Sequence, residues 1–207
     1  MTLLAAHLND AGILITDGER ILCREPGFAL LEDAGLVTGR EAWASASLKP
    51  RRIQNHYWNE LATTTLTDAR FKHLTAADLV SQQLETLWQR VAKPGDRLAL
   101  AVPAYMSNEN LGLLLGIAVD LGIPVIAMVD AAVAATRRQY ANADPVKIDL
   151  THHTAMVKRL KQDTQPQSER AVGEDENGIL DLTDIWLRLI HETIVHQSRY
   201  QPLHTAE

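Results

Sequence analysis

The stretch from Arg97 to Thr136, RLALAVPAYMSNENLGLLLGIAVDLGIPVIAMVDAAVAAT, constrains the fold more than any other part of the chain. Its apolar run at 98–102 predicts a buried strand, and the run at 125–129 predicts another. Ser107 predicts a helix N-cap between them, and Gly122 predicts the end of that helix. A strand–helix–strand unit with short connections implies parallel strands in one sheet.

Three further helices are predicted from their caps. One begins after Thr75, which has an acidic residue three positions on, as in a capping box. An alanine-rich helix runs from Asp130 to about Tyr140, and Thr183 caps a last helix that ends near Tyr200. The inward face of this last helix is expected to consist of Ile185, Trp186, Leu189 and Thr193.

Short alternating apolar runs at the N-terminus predict an antiparallel meander. Its strands are expected at 2–8, 13–16 and 20–23, with turns at 9–12 and 17–18 where Asn, Asp and Gly tolerate positive φ. The remaining predicted elements are short strands at 28–31 and 36–37, a short helix at 39–47, a strand pair at 146–150 and 155–160, and a polar hairpin turn with an exposed edge at 162–177.

Composition limits the partners that the sequence suggests. The chain has 207 residues, a net charge of −6 and a pI near 5.7, which argues against nucleic acid or an acidic membrane as partner. The single cysteine, Cys23, excludes an intramolecular disulfide and is typical of a reducing cytoplasm. We expect it to be a small buried residue at a strand end. No signal-like or membrane-spanning segment is visible, so the sequence predicts a cytoplasmic protein.

The histidine motifs of the chain do not predict a metal site. His191 and His196 are five residues apart, which rotates them about 140° from one another on a helix, so the zinc-protease spacing of four is not met. His152 and His153 are adjacent and would point to opposite faces of a strand, so that one is buried and one is solvated. No phosphate loop, nucleophile elbow or dinucleotide fingerprint occurs.

Two other sequence features carry a structural prediction. The pair Gly112 and Gly116, four apart on one helix, is expected to allow close helix packing. The basic cluster at 49–52 is read either as a phosphate or partner contact or as a solvated turn beside the aromatic pair Tyr57 and Trp58, and the solvated turn is favoured.

The order of predicted elements resembles the nucleotide-binding lobe of the actin-like ATPase superfamily, nearest to the seventy-kilodalton heat-shock chaperone family. Residues 98–105, LALAVPAY, are similar to the chaperone strand that ends in Val-Pro-Ala-Tyr-Phe. The run 129–135 lies where that family has Asn-Glu-Pro-Thr-Ala-Ala-Ala. The resemblance implies a ribonuclease-H-like α/β fold with a mixed five-stranded sheet, an antiparallel meander followed by βαβα, and helices on both faces.

In that family two β-hairpins hold the nucleotide phosphates, and the resemblance places both hairpins here in altered form. For the first, Asp-x-Gly-Thr, one register puts Ala5 and His7 at the Asp and Gly, and the other uses Asp10 and Gly12. The second, Asp-Leu-Gly-Gly-Gly-Thr-Phe-Asp, corresponds to residues 149–156, DLTHHTAM. Side chains in place of glycines are expected to narrow a cradle that needs close backbone approach.

The resemblance therefore implies a vestigial nucleotide site. Its residues are Asn9, Asp10, Gly12, Asp130, Asp149, Thr151 and Thr154. Asp130 matches the catalytic-side Glu of the family, and Lys49 or Arg51 matches its phosphate-contacting Lys. No catalytic residue and no metal ligand is assigned.

Three functions follow, of which the first is preferred and the other two stand equal. The first is a chaperone-like binding or scaffold module without efficient ATP hydrolysis and without a resident cofactor. The second is an active ATPase with an atypical pocket, in which Asp10, Asp130 and Asp149 face ATP and magnesium and a second lobe is needed. The third is an unrelated α/β domain that binds a small molecule at the strand ends near 103–107 and Asp130.

The expected domain organisation places the first lobe at 1–180, with an insertion near 24–92. Residues 181–207 are expected to be the first helix of a truncated second lobe. A protein partner, a missing second lobe or a second copy of the chain is then expected to cover exposed apolar surface.

Overall fold

The computed structural model describes residues 1–33, 35–67, 71–136, 138–162, 166–169, 171–175 and 177–202. They form an α/β fold around a mixed five-stranded sheet, as the sequence predicts. The strands are β1 (Leu3–His7), β2 (Ile13–Thr16), β3 (Ile21–Glu25), β4 (Ala29–Glu32), β5 (Gly35–Thr38), β6 (Ile53–Gln54), β7 (Arg97–Val102), β8 (Val125–Asp130), β9 (Val146–Leu150), β10 (Thr154–Gln162), β11 (Pro166–Ser168) and β12 (Val172–Asp175). The α-helices are α1 (Arg40–Ala44), α2 (Ala76–Val91), α3 (Asn108–Asp120), α4 (Ala131–Ala135) and α5 (Ile179–Ser198).

The main sheet has the strand order β3-β2-β1-β7-β8. The first three strands are an antiparallel meander, whereas β1, β7 and β8 are parallel to one another. Parallel strands end at the same edge of a sheet, so His7, Val102 and Asp130 lie along one edge. This edge is where the predicted site residues of β8 and of the turn after β1 are found.

The core lies on one face of the main sheet. Leu4 and Leu100 point from the sheet into a cluster with Leu79 of α2 and Leu114 of α3. On the opposite face, Ala5 and Ala127 are exposed. The structure therefore differs from the expectation of helices on both faces, because α2 and α3 both pack on the same face.

Two smaller sheets complete the described chain. One has the order β5-β4-β6 and packs with α1 through Phe28, Leu30 and Ala42, against which Leu180 of α5 also lies. The other has the order β11-β10-β12, with β9 also paired to β10, and we call it the distal sheet. The strand pair predicted at 146–150 and 155–160 is confirmed as β9 and β10.

Several caps are confirmed. Thr75 and Asp78 form a complete capping box at α2, and Ser107 forms another with Asn110 at α3. The carboxylate of Asp130 accepts a hydrogen bond from the backbone of α4. Each of these side chains satisfies N–H groups that a helix start leaves without a partner.

The extent of α4 was predicted wrongly. The helix ends at Ala135 rather than near Tyr140. The apolar side chains stop at Ala135, so no burial beyond it offsets the entropic cost of helical order. Thr136 is already extended, and Asn142 takes a left-handed φ of 60°.

The start of α5 is also different from the prediction. The helix begins at Ile179, where the N–H of Gly178 donates to Asp181 at 2.9 Å. Thr183 lies inside the helix, and its hydroxyl donates to the Ile179 carbonyl at 2.8 Å. From inside the first turn, the Asp181 carboxylate stabilises this earlier start, which is why Thr183 does not start the helix.

The predicted inward face of α5 is exposed. Ile185, Trp186 and Leu189 are 51%, 59% and 50% exposed, and no described residue of α5 is buried. The periodicity identified an apolar face correctly, but the described chain does not cover it.

The glycine pair of α3 does not mediate packing among the described residues. A Cβ atom at Gly112 or Gly116 would have no neighbour within 4 Å, and both residues are exposed. The turn at 9–12 also needs no positive φ, since neither Asn9 nor Gly12 has one.

Other predictions are confirmed or lie outside the described residues. Cys23 is buried, as expected, but it lies in the middle of β3 rather than at a strand end, because the strand continues to Glu25. None of the described helices has the length and apolar content needed to cross a membrane. The predicted hairpin at 162–177 includes 163–165, 170 and 176, all outside the described residues, as are 203–207 of the predicted second-lobe segment.

Candidate nucleotide site

The two turns that the resemblance singles out lie in direct contact. The side-chain amide of Asn9, after β1, donates to the Asp149 carboxylate at 3.2 Å and to the Leu150 carbonyl at 2.9 Å. The Asn9 side-chain oxygen accepts from Ala11 at 2.9 Å, which fixes the turn locally. These bonds tie the edge of the main sheet to the end of β9.

Asp10 makes the second connection between the turns, and it is 1% exposed. One of its carboxylate oxygens, Oδ1, accepts from the His152 backbone N–H at 2.8 Å. Its backbone carbonyl accepts from Gly27 at 2.6 Å. Asp10 therefore holds the turn between β9 and β10 from beneath, rather than facing an open cleft.

The turn between β9 and β10 is closed by its own side chains. Thr151 is fully buried, its N–H donates to the Thr154 carbonyl at 2.9 Å, and its hydroxyl accepts from the Thr154 N–H at 3.0 Å. His152 is 6% exposed and packs edge-on against Phe28, with ring centroids 4.9 Å apart. The space that three glycines would leave open is thus filled by a threonine and a histidine.

Two lysines form ion pairs with the carboxylates that could otherwise face a magnesium ion. Lys147 of β9 donates to Asp149 at 2.6 Å, and Lys158 of β10 donates to Asp130. Both lysine side chains are largely buried, at 19% and 12% exposed. Among the described residues, no group of three or more His, Cys, Asp or Glu side chains is arranged to hold a metal ion.

Little open volume remains between these pairs. The cavity between Asp130 and Asp149 measures about 10 Å³ and is lined also by Met156 and Lys158. That is close to the ~10–15 Å³ that one water molecule needs. A triphosphate does not fit there without movement of the two lysines.

Burial shapes the electrostatics of the contact. Desolvation raises the pKa of Asp10 to about 6, opposed by hydrogen bonds from His152 and Ala11. Desolvation lowers the pKa of His152 to about 4, with His153 and His56 adding to the effect. At neutral pH the carboxylate is then ionised and the imidazole is neutral.

The contact leaves polar atoms unpaired. Asp10 Oδ2 and His152 Nδ1 are 4.0 Å apart, too far for a hydrogen bond. Neither atom has a partner within the described part of the chain, and the same holds for the Tyr105 hydroxyl. Burial raises the pKa of Tyr105, and the nearby carboxylates of Asp10 and Asp149 raise it further.

A cleft that the sequence did not predict lies beside the turn between β9 and β10. It has a volume of about 510 Å³ and is lined by Asn55, His56, Asn59, Glu60, His153, Thr154, Leu180, Asp181 and Asp184. His56 and His153 stack in it with ring centroids 3.5 Å apart. Two histidines almost a hundred positions apart gave no signal in the sequence.

The predicted site residues are brought together to different degrees. Asn9, Asp10, Asp149, Thr151 and Thr154 all belong to the contact between the turns. Asp130 joins it across the small cavity that it shares with Asp149. Gly12 only closes the first turn, with its N–H donating to the Asn9 carbonyl at 2.8 Å.

The predicted basic contacts are placed elsewhere. Lys49 forms an ion pair with Glu32, and Arg52 lies 3.5 Å from Asp33. Arg51 is exposed in the short 3-10 turn Pro50–Arg52. The alternative of a solvated turn beside the buried pair Tyr57 and Trp58 therefore agrees with the structure.

The functional residues that sequence analysis missed are Lys147 and Lys158. Each is adjacent to an apolar residue in a strand, and each points to the face that carries the carboxylates. The alternation of β9 would have placed Lys147 and Asp149 on one face. The pairing of Lys158 with Asp130 depends on how the distal sheet meets β8, which no local pattern encodes.

Comparison of the chain with protein-family models and with curated proteins finds no match.

Proposed function

We propose that this chain has an actin-like, ribonuclease-H-like fold and acts as a chaperone-like binding or scaffold module without efficient ATP hydrolysis. The fold proposal is supported by the strand order β3-β2-β1-β7-β8, with a meander followed by two parallel crossover strands. The resemblance of residues 98–105 to the chaperone strand supports the same class.

The observation that carries the functional proposal is the direct contact of the two turns. In the chaperone family these turns cradle phosphates, whereas here Asn9 bonds to Asp149 and Asp10 bonds to His152. A nucleotide would have to break these bonds and displace the His152 ring before its phosphates reached the backbone. The site is closed by the chain itself.

The lysine pairs argue in the same direction. Phosphoryl transfer depends on positioning and on charge neutralisation by metal ions. Lys147 and Lys158 already neutralise Asp149 and Asp130, so a magnesium ion would compete with two covalently tethered ammonium groups. Loss of interactions of this kind costs ~2–4 kcal/mol each in transition-state stabilisation, hence several orders of magnitude in rate.

The atypical ATPase and the small-molecule site at the strand ends are less well supported. Both need open volume next to Asp130, and the cavity there is only about 10 Å³. A binding module needs no such volume, because it acts through its outer surfaces.

The proposal is tested by nucleotide binding and phosphate release on the purified chain. Titration calorimetry with ATP and magnesium is expected to give no saturable heat with a Kd below ~1 mM. Phosphate release is expected to equal that of Asp149→Asn, a matched variant that removes one carboxylate. Release by the wild-type chain well above this variant, or micromolar ATP affinity, would overturn the proposal.

A further inference from the structure

The surface of α5 and one face of the distal sheet are both apolar and uncovered. On α5, five large side chains that are about half exposed share one side of the helix: Leu182, Ile185, Trp186, Leu189 and Ile190. Scattered single apolar residues are normal on a surface, but a contiguous set with a tryptophan at its centre marks an interaction surface.

The distal sheet presents a matching set. The register pairs Ile148 with Val157 and Val157 with Val172, so these side chains form one row across three strands. Alternation places Val146 and Leu150 on the same face of β9. All five are between 45% and 72% exposed. We call this set the distal face.

The two surfaces have matching dimensions. A helix of 20 residues is ~30 Å long and ~10 Å wide. A nine-residue strand is ~30 Å long, and three paired strands span ~10 Å between their axes. A helix with one apolar side and a sheet with one apolar face are the two layers from which α/β proteins are built.

The first turn of α5 is hydrogen-bonded to the turn between β9 and β10. The N–H of Ile179 donates to the Thr151 carbonyl at 2.9 Å, and the N–H of Leu180 donates to the His152 carbonyl at 3.0 Å. Leu180 packs with Phe28. The start of the helix is thereby fixed to the turn between β9 and β10, and the apolar side of α5 stays uncovered.

We infer that the occupant of both surfaces is a second copy of this chain, arranged so that α5 of each copy lies across the distal face of the other. A two-fold arrangement satisfies both surfaces at once, since each copy supplies one helix and one face. The inference names the partner of the proposed binding module, and in that respect it rests on the proposed function.

The area of the two surfaces supports this arrangement over a pairing of the two helices alone. A large side chain that exposes half of its surface contributes roughly 90 Å², so the shared side of the helix offers ~450 Å² and the distal face ~450 Å². Specific interfaces bury ~800 Å² per partner. The helix alone falls short of that area, whereas helix and face together reach ~900 Å² per copy.

The test measures mass in solution by light scattering during gel filtration of the full chain. We expect about twice the chain mass of 22.9 kDa at micromolar concentration. Trp186→Glu and Val157→Lys are each expected to give the monomer mass. The matched control is Arg188→Glu, which changes the opposite side of α5 and is expected to leave the dimer intact.

Combining the two disruptive changes separates a broken interface from a misfolded chain. Trp186→Glu with Val157→Lys places opposite charges where the two surfaces meet, and the double variant is expected to recover the dimer mass. A wild-type monomer at all concentrations, or a dimer insensitive to Val157→Lys, would overturn the inference. The inference would also be overturned if the double variant stayed a monomer although its thermal unfolding, equal to that of Arg188→Glu, showed that it is folded.

Cysteine cross-linking distinguishes the two dimer geometries. Cys23 is buried, so only the engineered cysteines are expected to form cross-links. Trp186→Cys with Val157→Cys is expected to form a disulfide between copies, whereas Trp186→Cys by itself is not. A cross-link through Trp186→Cys alone would indicate helix–helix pairing and would overturn the arrangement. Neither result depends on ATP, so the mass measurement and the nucleotide assay can fail separately.

Discussion

Burial of the Asp10 carboxylate, which closes the site, costs free energy of folding. Its pKa is about 6 in the folded chain, against 3.8 for an aspartate in water, so folding favours the protonated acid. Folded-state stability is therefore lost as pH rises from 3.8 through 6, and the loss is complete above that range. The difference corresponds to ~3 kcal/mol, which is the penalty of keeping a buried carboxylate with one oxygen unpaired.

Asp10→Asn is expected to stabilise the chain at pH 8 by ~1–3 kcal/mol, with the gain disappearing toward pH 4. The amide oxygen keeps the bond from the His152 N–H, and the amide nitrogen can donate toward His152 Nδ1. Urea unfolding at both pH values measures the effect. Asp17→Asn is the matched control with the opposite sign, because hydrogen bonds from Arg20 and Glu19 lower the pKa of Asp17. Loss of stability in Asp10→Asn at pH 8 would contradict this account.

Lys158→Met is expected to destabilise the chain by ~1–3 kcal/mol at pH 7. The substitution preserves most of the side-chain volume but leaves the Asp130 carboxylate without its buried cation. Arg159→Met, one residue along, removes exposed pairs with Asp144 and Glu169 and should destabilise the chain much less. Denaturant midpoints of the two variants provide the comparison, and equal effects would argue against a structural role for Lys158.

At the scale of the element, α3 and the start of α5 use glycine in opposite ways. On α3, a Cβ atom at Gly112 or Gly116 meets nothing within 4 Å. At Gly178 a Cβ atom would lie 2.1 Å from the His152 carbonyl oxygen. Gly112 and Gly116 therefore make α3 more flexible without being needed for packing. Gly178 lies at a close contact with His152 that only glycine permits.

Gly112→Ala and Gly116→Ala are each expected to raise the free energy of unfolding by ~0.5–1 kcal/mol, because alanine restricts the unfolded chain and favours the helix. Gly178→Ala is expected to lower it and to loosen the first turn of α5. Thermal unfolding of the three variants checks both directions. A destabilised Gly116→Ala would mean that the exposed side of α3 has a close neighbour after all.

At the scale of the whole molecule, the sequence predicted the elements better than their burial. The parallel order of β7 and β8 follows from the spacing of apolar runs and from the caps Ser107 and Asp130, all of them local signals. The approach of Asn9 to Asp149 was predictable only through the resemblance. The ion pair of Lys158 with Asp130 and the stack of His56 on His153 join elements distant in the chain, and burial of long-range partners leaves no local pattern.

The exposure of α5 and of the distal face should also be measurable by hydrogen exchange. The amides of β1 and β7 lie inside the main sheet over the core and should exchange only through global unfolding. Those of α5 should exchange faster in dilute protein, because no described residue of the helix is buried. If a second copy covers the helix, protection of α5 and of β10 should rise together with protein concentration, while β7 stays unchanged. Trp186→Glu should abolish that dependence in both elements, whereas concentration-independent protection of α5 would mean that its own chain already covers it.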